Sequence, residues 1–275
     1  MFGGGFAKFG GMPPVVKNLI YLNVVMFVAA WVFKSQFQID LDDLLGAHCF
    51  QSELFRPYQL VTYMFMHSLA DPFHIILNMF GLWMFGRILE SVWGSKRFFI
   101  YYFITGIGAI LVNMVVQYIE LNHLANLVAN YNQSPSFELF NSIVNKYVST
   151  PTDSFKSFIN QFQFNPNDLD YIDKSKLYLQ SLYVEIVNIP TIGASGAVFG
   201  ILLAFGMLFP NTELMLMFPP IPIKAKWFVL GYGLIELFSG VSQPGSNIAH
   251  FAHLGGMLFG FILIKYWNSK RTNFY

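Results

Sequence analysis

The feature that most limits how this chain folds is a series of six apolar stretches, at residues 18–33, 73–89, 98–118, 191–209, 227–239 and 248–267. Hydrocarbon offers no water to backbone N–H and C=O groups, so a segment crossing it must be a helix of roughly 20 residues. Several of the six are short or interrupted by polar residues, which suits a bundle whose interior holds water and reactive side chains. Charge points the same way. Only 11% of the 275 residues are charged, against about a quarter in soluble domains. So few ions cannot cover the surface of a water-soluble globule this large. The expectation is an all-α membrane protein, a bundle of six transmembrane helices.

An even number of spans leaves both termini on one side, and basic residues in short loops identify that side as cytoplasmic. Lys8 and Lys17 precede the first span, and Arg87, Lys96 and Arg97 follow the second. Lys224 and Lys226 precede the fifth, and Lys265, Lys270 and Arg271 end the chain. The opposite side carries Lys34, Arg56 and four lysines of one long loop, which the rule discounts. This predicts cytoplasmic tails at 1–17 and 268–275 around a membrane domain at 18–267. The first fourteen residues lack an apolar signal core, so no cleaved signal peptide is expected. With no transit peptide evident, a prokaryotic plasma membrane is the simplest location.

Between the third and fourth spans, residues 120–190 are rich in Asn, Ser, Gln and Asp. They read as a long extracytoplasmic insertion, partly ordered on the outer membrane surface. Segments 154–164 and 177–187 have the periodicity of short amphipathic helices. The formal net charge of +1 gives no reason to expect nucleic acid, and the single Cys49 excludes an intrachain disulfide or a cysteine metal cluster.

Chemistry concentrates on three spans. The fourth begins Pro190-Thr-Ile-Gly193-Ala-Ser195-Gly196-Ala-Val-Phe199-Gly200. Its glycines suit close helix packing, yet Ser195 follows a Pro and Gly pair that fits a helix start. There, free N–H groups and the positive dipole end favour a developing oxyanion. The sixth span carries His250-Phe-Ala-His253-Leu-Gly-Gly256, with Gly260 four residues on. His253, Gly256 and Gly260 share one helical face. A histidine in hydrocarbon either bonds a neighbouring helix or is functional. Glycine faces on both helices would let Ser195 and His253 reach hydrogen-bond distance, where imidazole can activate a hydroxyl. The second span sets His74 and Asn78 four residues apart on one face, with hydrogen bonds to donate. Metal binding by His67, His74, His250 and His253 is the competing chemistry. No HExxH is present, and none of these helices carries a carboxylate at ligand spacing beside the histidines.

Together, Gly193-Ala-Ser195-Gly196, His253-x-x-Gly256-x-x-x-Gly260 and the earlier His74-x-x-x-Asn78 resemble the rhomboid intramembrane proteases, from about Arg56 to Gly260. The resemblance implies a serine endopeptidase with Ser195 as nucleophile and His253 as general base, a dyad without a third acidic member. The oxyanion site would be the Ser195 N–H with the His74 and Asn78 side chains. Gly193, Gly196, Gly200, Gly256 and Gly260 would support helix packing. Phe199 falls where some members stack a tyrosine on the catalytic histidine. Phe55-Arg56 falls where the family commonly has Trp-Arg, and Glu90 where a structural glutamate is usual. The fifth span and the 240–247 loop, with Pro244 and Gly245, resemble a lateral gate and cap. Substrates would be transmembrane proteins cut within or beside their membrane segments, in the lipid bilayer, with neither cofactor nor metal.

Two rivals make different predictions. A catalytically inactive relative would bind transmembrane clients without cutting them. A small transporter relaying protons through its histidines would tolerate loss of Ser195 but not of His253.

Overall fold

A computed structural model describes residues 11–215, 220–242 and 250–269 of the chain. Helix α1 spans Pro14–Phe37, with its proline in the first turn, where no intrahelical N–H is required. The N–H groups of Val15 and Val16 donate to the Glu90 carboxylate at 3.0 and 2.8 Å. Glu90, buried and also accepting from Ser95 Oγ at 2.7 Å, thus caps α1 from another element.

The first loop holds the short helices α2 (Leu41–Leu45) and α3 (Gln59–Thr62), then a 3-10 turn at Tyr63–Phe65. Buried Gln59 organises it, accepting from the Arg56 N–H at 3.0 Å and donating to the carbonyls of Leu44 and Leu54. Arg56 itself reaches the carbonyls of Glu53 and Phe55.

The second predicted span is one continuous apolar helix, Pro72–Trp93. It consists of α4 (Pro72–Gly81), a π-helical turn at Leu82–Gly86 and α5 (Arg87–Trp93). Asp71 starts it by accepting the Phe73 N–H. Gly94, at φ 80°, turns the chain into α6, which runs for 39 residues over Ser95–Gln133.

At 1.5 Å per residue α6 is roughly 58 Å long, about twice the hydrocarbon thickness. Its second half therefore leads into a separate lobe. There α7 (Phe137–Tyr147), α8 (Asp153–Phe164) and α9 (Leu169–Val187) follow, each started by a capping side chain: Ser136, Thr152 and Asp168. The two amphipathic segments read from the sequence fall within α8 and α9. The helix of the third span, however, runs well beyond residue 118, and most of 120–190 is helical rather than only partly ordered.

The chain returns with α10 (Ser195–Leu208), a ribbon of β1 (Glu213–Met215) and β2 (Pro222–Lys224), then α11 (Ala225–Ser242) and α12 (His250–Ser269). The strands pair antiparallel, Leu214 opposite Ile223. This ribbon is one departure from the all-α expectation; an isolated bridge between Ala47 and Thr191 is another.

Every expected span thus corresponds to a helix. Among the described residues, α1, Pro72–Trp93 and α6 are each long and apolar enough to cross a membrane, while α10 is apolar but shorter. The chain is an integral membrane protein. Residues 243–249, which include Pro244 and Gly245 of the expected cap, lie outside the described residues, as do Lys8, Lys270 and Arg271.

Two cores divide the molecule. The bundle core gathers Tyr63, Met64, Leu82, Phe98, Tyr101, Tyr102, Ile201 and Phe205. The lobe core gathers Leu124, Val128, Tyr131, Phe140, Val144, Phe162 and Leu179.

Candidate active site

The strand-like bridge between Ala47 and Thr191 sets where α10 begins. Ala47 and Thr191 exchange backbone hydrogen bonds of 2.8 and 2.9 Å, and Gly193 N–H donates to the Tyr63 carbonyl at 2.9 Å. Residues 191–194 are thereby held out of the helix, which starts at Ser195 rather than at Thr191. Gly193 adopts φ 123°, and a Cβ there would meet His74 Nε2 at 2.7 Å. Glycine is needed at this position on both counts, and its absent side chain brings the His74 ring against the turn before Ser195.

Helix α10 has no side-chain cap. Its first N–H groups are left to other partners; the Ala194 N–H points at His67 Nε2 at a long 3.5 Å. The His67 and His74 rings meet edge to face at 5.0 Å.

From α12, His253 Nε2 lies 2.9 Å from Ser195 Oγ. The Phe199 ring stacks on the His253 ring at 4.1 Å and 3° between planes, and Tyr232 of α11 continues the stack at 5.0 Å. Asn78 is buried and donates to the His74 carbonyl at 2.8 Å, which leaves its second amide N–H uncommitted by that bond.

The glycine faces do more than bring α10 and α12 together. A Cβ at Gly256 would collide with the Gly196 carbonyl, so these two helices touch backbone to backbone. Gly200 instead faces Thr105 of α6, and Gly260 faces Tyr101, whose hydroxyl donates to the Gly200 carbonyl at 2.8 Å. The third member of this junction is α6, the helix of the third span, to which the sequence pattern assigns no part in the site.

Two further residues escaped that reading. His67 entered it only as a possible metal ligand. Glu236, on α11, did not enter it at all, although a carboxylate inside the apolar run Leu234-Ile-Glu236-Leu-Phe is itself a signal of function. Glu236 Oε2 lies 2.6 Å from His250 Nδ1 and 2.9 Å from His253 Nδ1, with all three residues buried. They are the one group among the described residues whose ligand atoms, all within 4.8 Å of one another, could hold a metal ion. The carboxylate comes from a neighbouring helix, so no spacing along the histidines' own helices signals it. The distances are nonetheless those of hydrogen-bonding partners. Ligands placed tetrahedrally around zinc at its usual bond lengths stand about 3.3 Å apart.

The Rhomboid domain family model matches residues 54–121 and 174–269, more than half of the chain. The chain is 35% identical over 81 residues to Rhomboid protein 1, mitochondrial, of Saccharomyces cerevisiae, an alignment covering 30% of this chain and 23% of that protein. It is 26% identical over 244 residues to RHOMBOID-like protein 12, mitochondrial, of Arabidopsis thaliana, covering 88% of this chain and 55% of that protein. The chain therefore spans about half the length of one of these relatives and a quarter of the other. The two matched stretches include α4, α10 and α12, the helices that carry His74, Ser195 and His253. This chain belongs to the rhomboid family.

Proposed function

We propose that the chain is an intramembrane serine endopeptidase, a six-transmembrane-helix bundle carrying an extracytoplasmic lobe inserted between its third and fourth spans. The observation that carries this reading is the 2.9 Å contact between His253 Nε2 and Ser195 Oγ at the start of α10. Serine is a weak nucleophile at its ordinary pKa and needs an adjacent base. Here Ser195 Oγ attacks the scissile carbonyl carbon as its proton passes to His253 Nε2. The proton then goes to the leaving amine, and water repeats the sequence on the acyl-enzyme.

Charge developing on the carbonyl oxygen meets the uncapped N-terminus of α10 and the Ser195 N–H, with His74 and the spare N–H of Asn78 as side-chain donors. Phe199 holds the His253 ring by stacking. Gly193, Gly196, Gly200, Gly256 and Gly260 permit the close approach on which this geometry depends. The chemistry is acyl transfer by side chains alone, which calls for no cofactor.

The 14 residues of α10 reach only roughly 21 Å, less than the hydrocarbon thickness of about 30 Å. A helix of that length starting at Ser195 fits a nucleophile set below the outer membrane surface. Substrates are then transmembrane proteins in the bilayer whose segments unwind locally, helped by small or helix-breaking residues.

The chain then divides into tails at 1–17, the first turn of α1 included, and 268–275 around a membrane domain, with both termini on one side. Both relatives are named as mitochondrial, which weighs against the prokaryotic plasma membrane expected from the sequence and favours a mitochondrial one.

The decisive test is incubation with a panel of tagged single-span proteins, comparing wild type with Ser195→Ala and mapping the cut by mass spectrometry. Cleavage that survives the substitution would overturn the nucleophile assignment. Cleavage of no panel member, with no labelling by a serine-directed fluorophosphonate, would favour a module that only binds its clients.

A further inference from the structure

We propose that Glu236 is the positioning residue of the catalytic base, making the site a Ser195–His253–Glu236 triad rather than a dyad. This rests on the reading of Ser195 and His253 as nucleophile and base. The carboxylate reaches His253 from α11, on the opposite side of the imidazole from Ser195: Oε2 lies 2.9 Å from Nδ1 while Nε2 lies 2.9 Å from Ser195 Oγ. The two contacts differ in direction. Glu236 makes a directed hydrogen bond to His250 Nδ1 at 2.6 Å, whereas its approach to His253 Nδ1 is close but lies off the N–H axis. His250 therefore anchors the carboxylate, and the same oxygen faces the base.

Three consequences follow from elementary chemistry. A neutral imidazole beside a carboxylate keeps its proton on the nitrogen nearer that carboxylate. With hydrogen on Nδ1, the Nε2 lone pair is free to accept the Ser195 proton. When Ser195 Oγ bonds the carbonyl carbon, its proton forms the Nε2–H bond and His253 becomes an imidazolium. That positive charge then stands against the Glu236 carboxylate in a water-poor interior, where opposite charges interact strongly. Finally, the ring is flanked on three sides, by the Glu236 carboxylate beyond Nδ1, Ser195 at Nε2 and Phe199 across its face. Glu236 is the acidic group that stands within ion-pairing distance of His253.

The test measures the rate of Ser195 labelling by a fluorophosphonate, and kcat and KM on a cleaved substrate, in wild type, Glu236→Gln and Glu236→Asp. Thermal unfolding in detergent is followed in parallel. The expected result is a fall in labelling rate and kcat of about 10²-fold or more in Glu236→Gln, toward the roughly 10⁴-fold seen when the acid of a serine-protease triad is neutralised. KM should change little, and Glu236→Asp should recover part of the loss. A Glu236→Gln protein that is folded and labels within twofold of wild type overturns the proposal. If Glu236→Gln does not fold, the wild-type protein decides. With ¹⁵N-labelled histidine, the His253 ring nitrogens, assigned by their loss in His253→Asn, must report a neutral ring protonated on Nδ1. A ring protonated on Nε2 overturns the proposal. Wild type that neither labels nor cleaves would instead count against the underlying dyad, so the two failures are distinct.

Discussion

Along its first half, α6 packs through Thr105 and Ala109 against the glycines of α10 and α12, and turns Val115, Tyr118 and Ile119 outward. Along its second half it packs through Leu124, Val128 and Tyr131 against α7–α9, whose outer surfaces carry the ion pairs Lys156–Asp153 and Lys174–Asp170. One helix thus obeys two sets of rules. Hydrocarbon outside the bundle is as apolar as a leucine side chain, so burial there supplies little driving force, and close backbone contact does the work. Removing apolar area from water is worth about 25 cal/mol per Å², and the lobe gathers phenylalanines in its core. The lobe core is a cluster of rings around Phe140, which meets Phe155, Phe158, Phe162 and Tyr178 edge to face. The bundle is therefore vulnerable to added atoms and the lobe to removed ones.

The comparison breaks most visibly if chemistry does not reside in the bundle. Ser195→Ala and His253→Ala are each expected to lower cleavage on the order of 10⁶-fold, the scale seen when either member of such a pair is removed. Both proteins should keep their unfolding temperature in detergent. Activity that tolerates Ser195→Ala but not His253→Ala would favour a proton-relaying transporter.

In the lobe, Phe140→Ala should cost about 3–5 kcal/mol, because a fully buried ring leaves a cavity. Hydrogen exchange across α7–α9 would report the loss, while fluorophosphonate labelling of Ser195 should persist. Loss of both together would show that bundle and lobe unfold as one unit.

The opposite change tests the bundle. Gly256→Ala should destabilise by about 3 kcal/mol or more, since its methyl group meets the Gly196 backbone rather than a movable side chain. Thermal unfolding in detergent measures it, and an unchanged midpoint would mean that α10 and α12 can separate without penalty.

Asn78→Ala should slow cleavage by about 10²-fold if the amide is an oxyanion donor. An unchanged rate would leave Asn78 as a residue that only closes a turn of α4.

The smallest effect lies in the first loop. Burial, and then the nearby Asp40 charge, raise the Asp42 carboxyl to about 6 from 3.8. A group with a raised folded pKa holds its proton more tightly in the native state, so its contribution is full below pH 3.8 and is lost as pH rises through about 6. Wild type should lose stability over that interval in a pH series of unfolding, and Asp42→Asn should flatten the slope.

The positions of all six apolar helices and the start of α10 near a Pro and Gly pair were legible in the linear pattern. Each depends on the residues of one segment, or on a motif whose spacing is local. The continuation of α6 to Gln133 was not, because its polar second half loses the hydropathy signal while keeping helical propensity. Phe199 was legible through its place one turn beyond Ser195.

What the amino-acid order determined alone is which segments are helical and apolar and which side chains they carry, since period and hydropathy are properties of neighbours in sequence. Only the tertiary structure decided that Glu90 caps α1, that Gly200 and Gly260 turn to α6, and that Glu236 faces His253 from α11. Each of these is a contact between helices, set by how three or more elements pack at once. A carboxylate 17 positions before the histidine it serves has no local spacing to announce it.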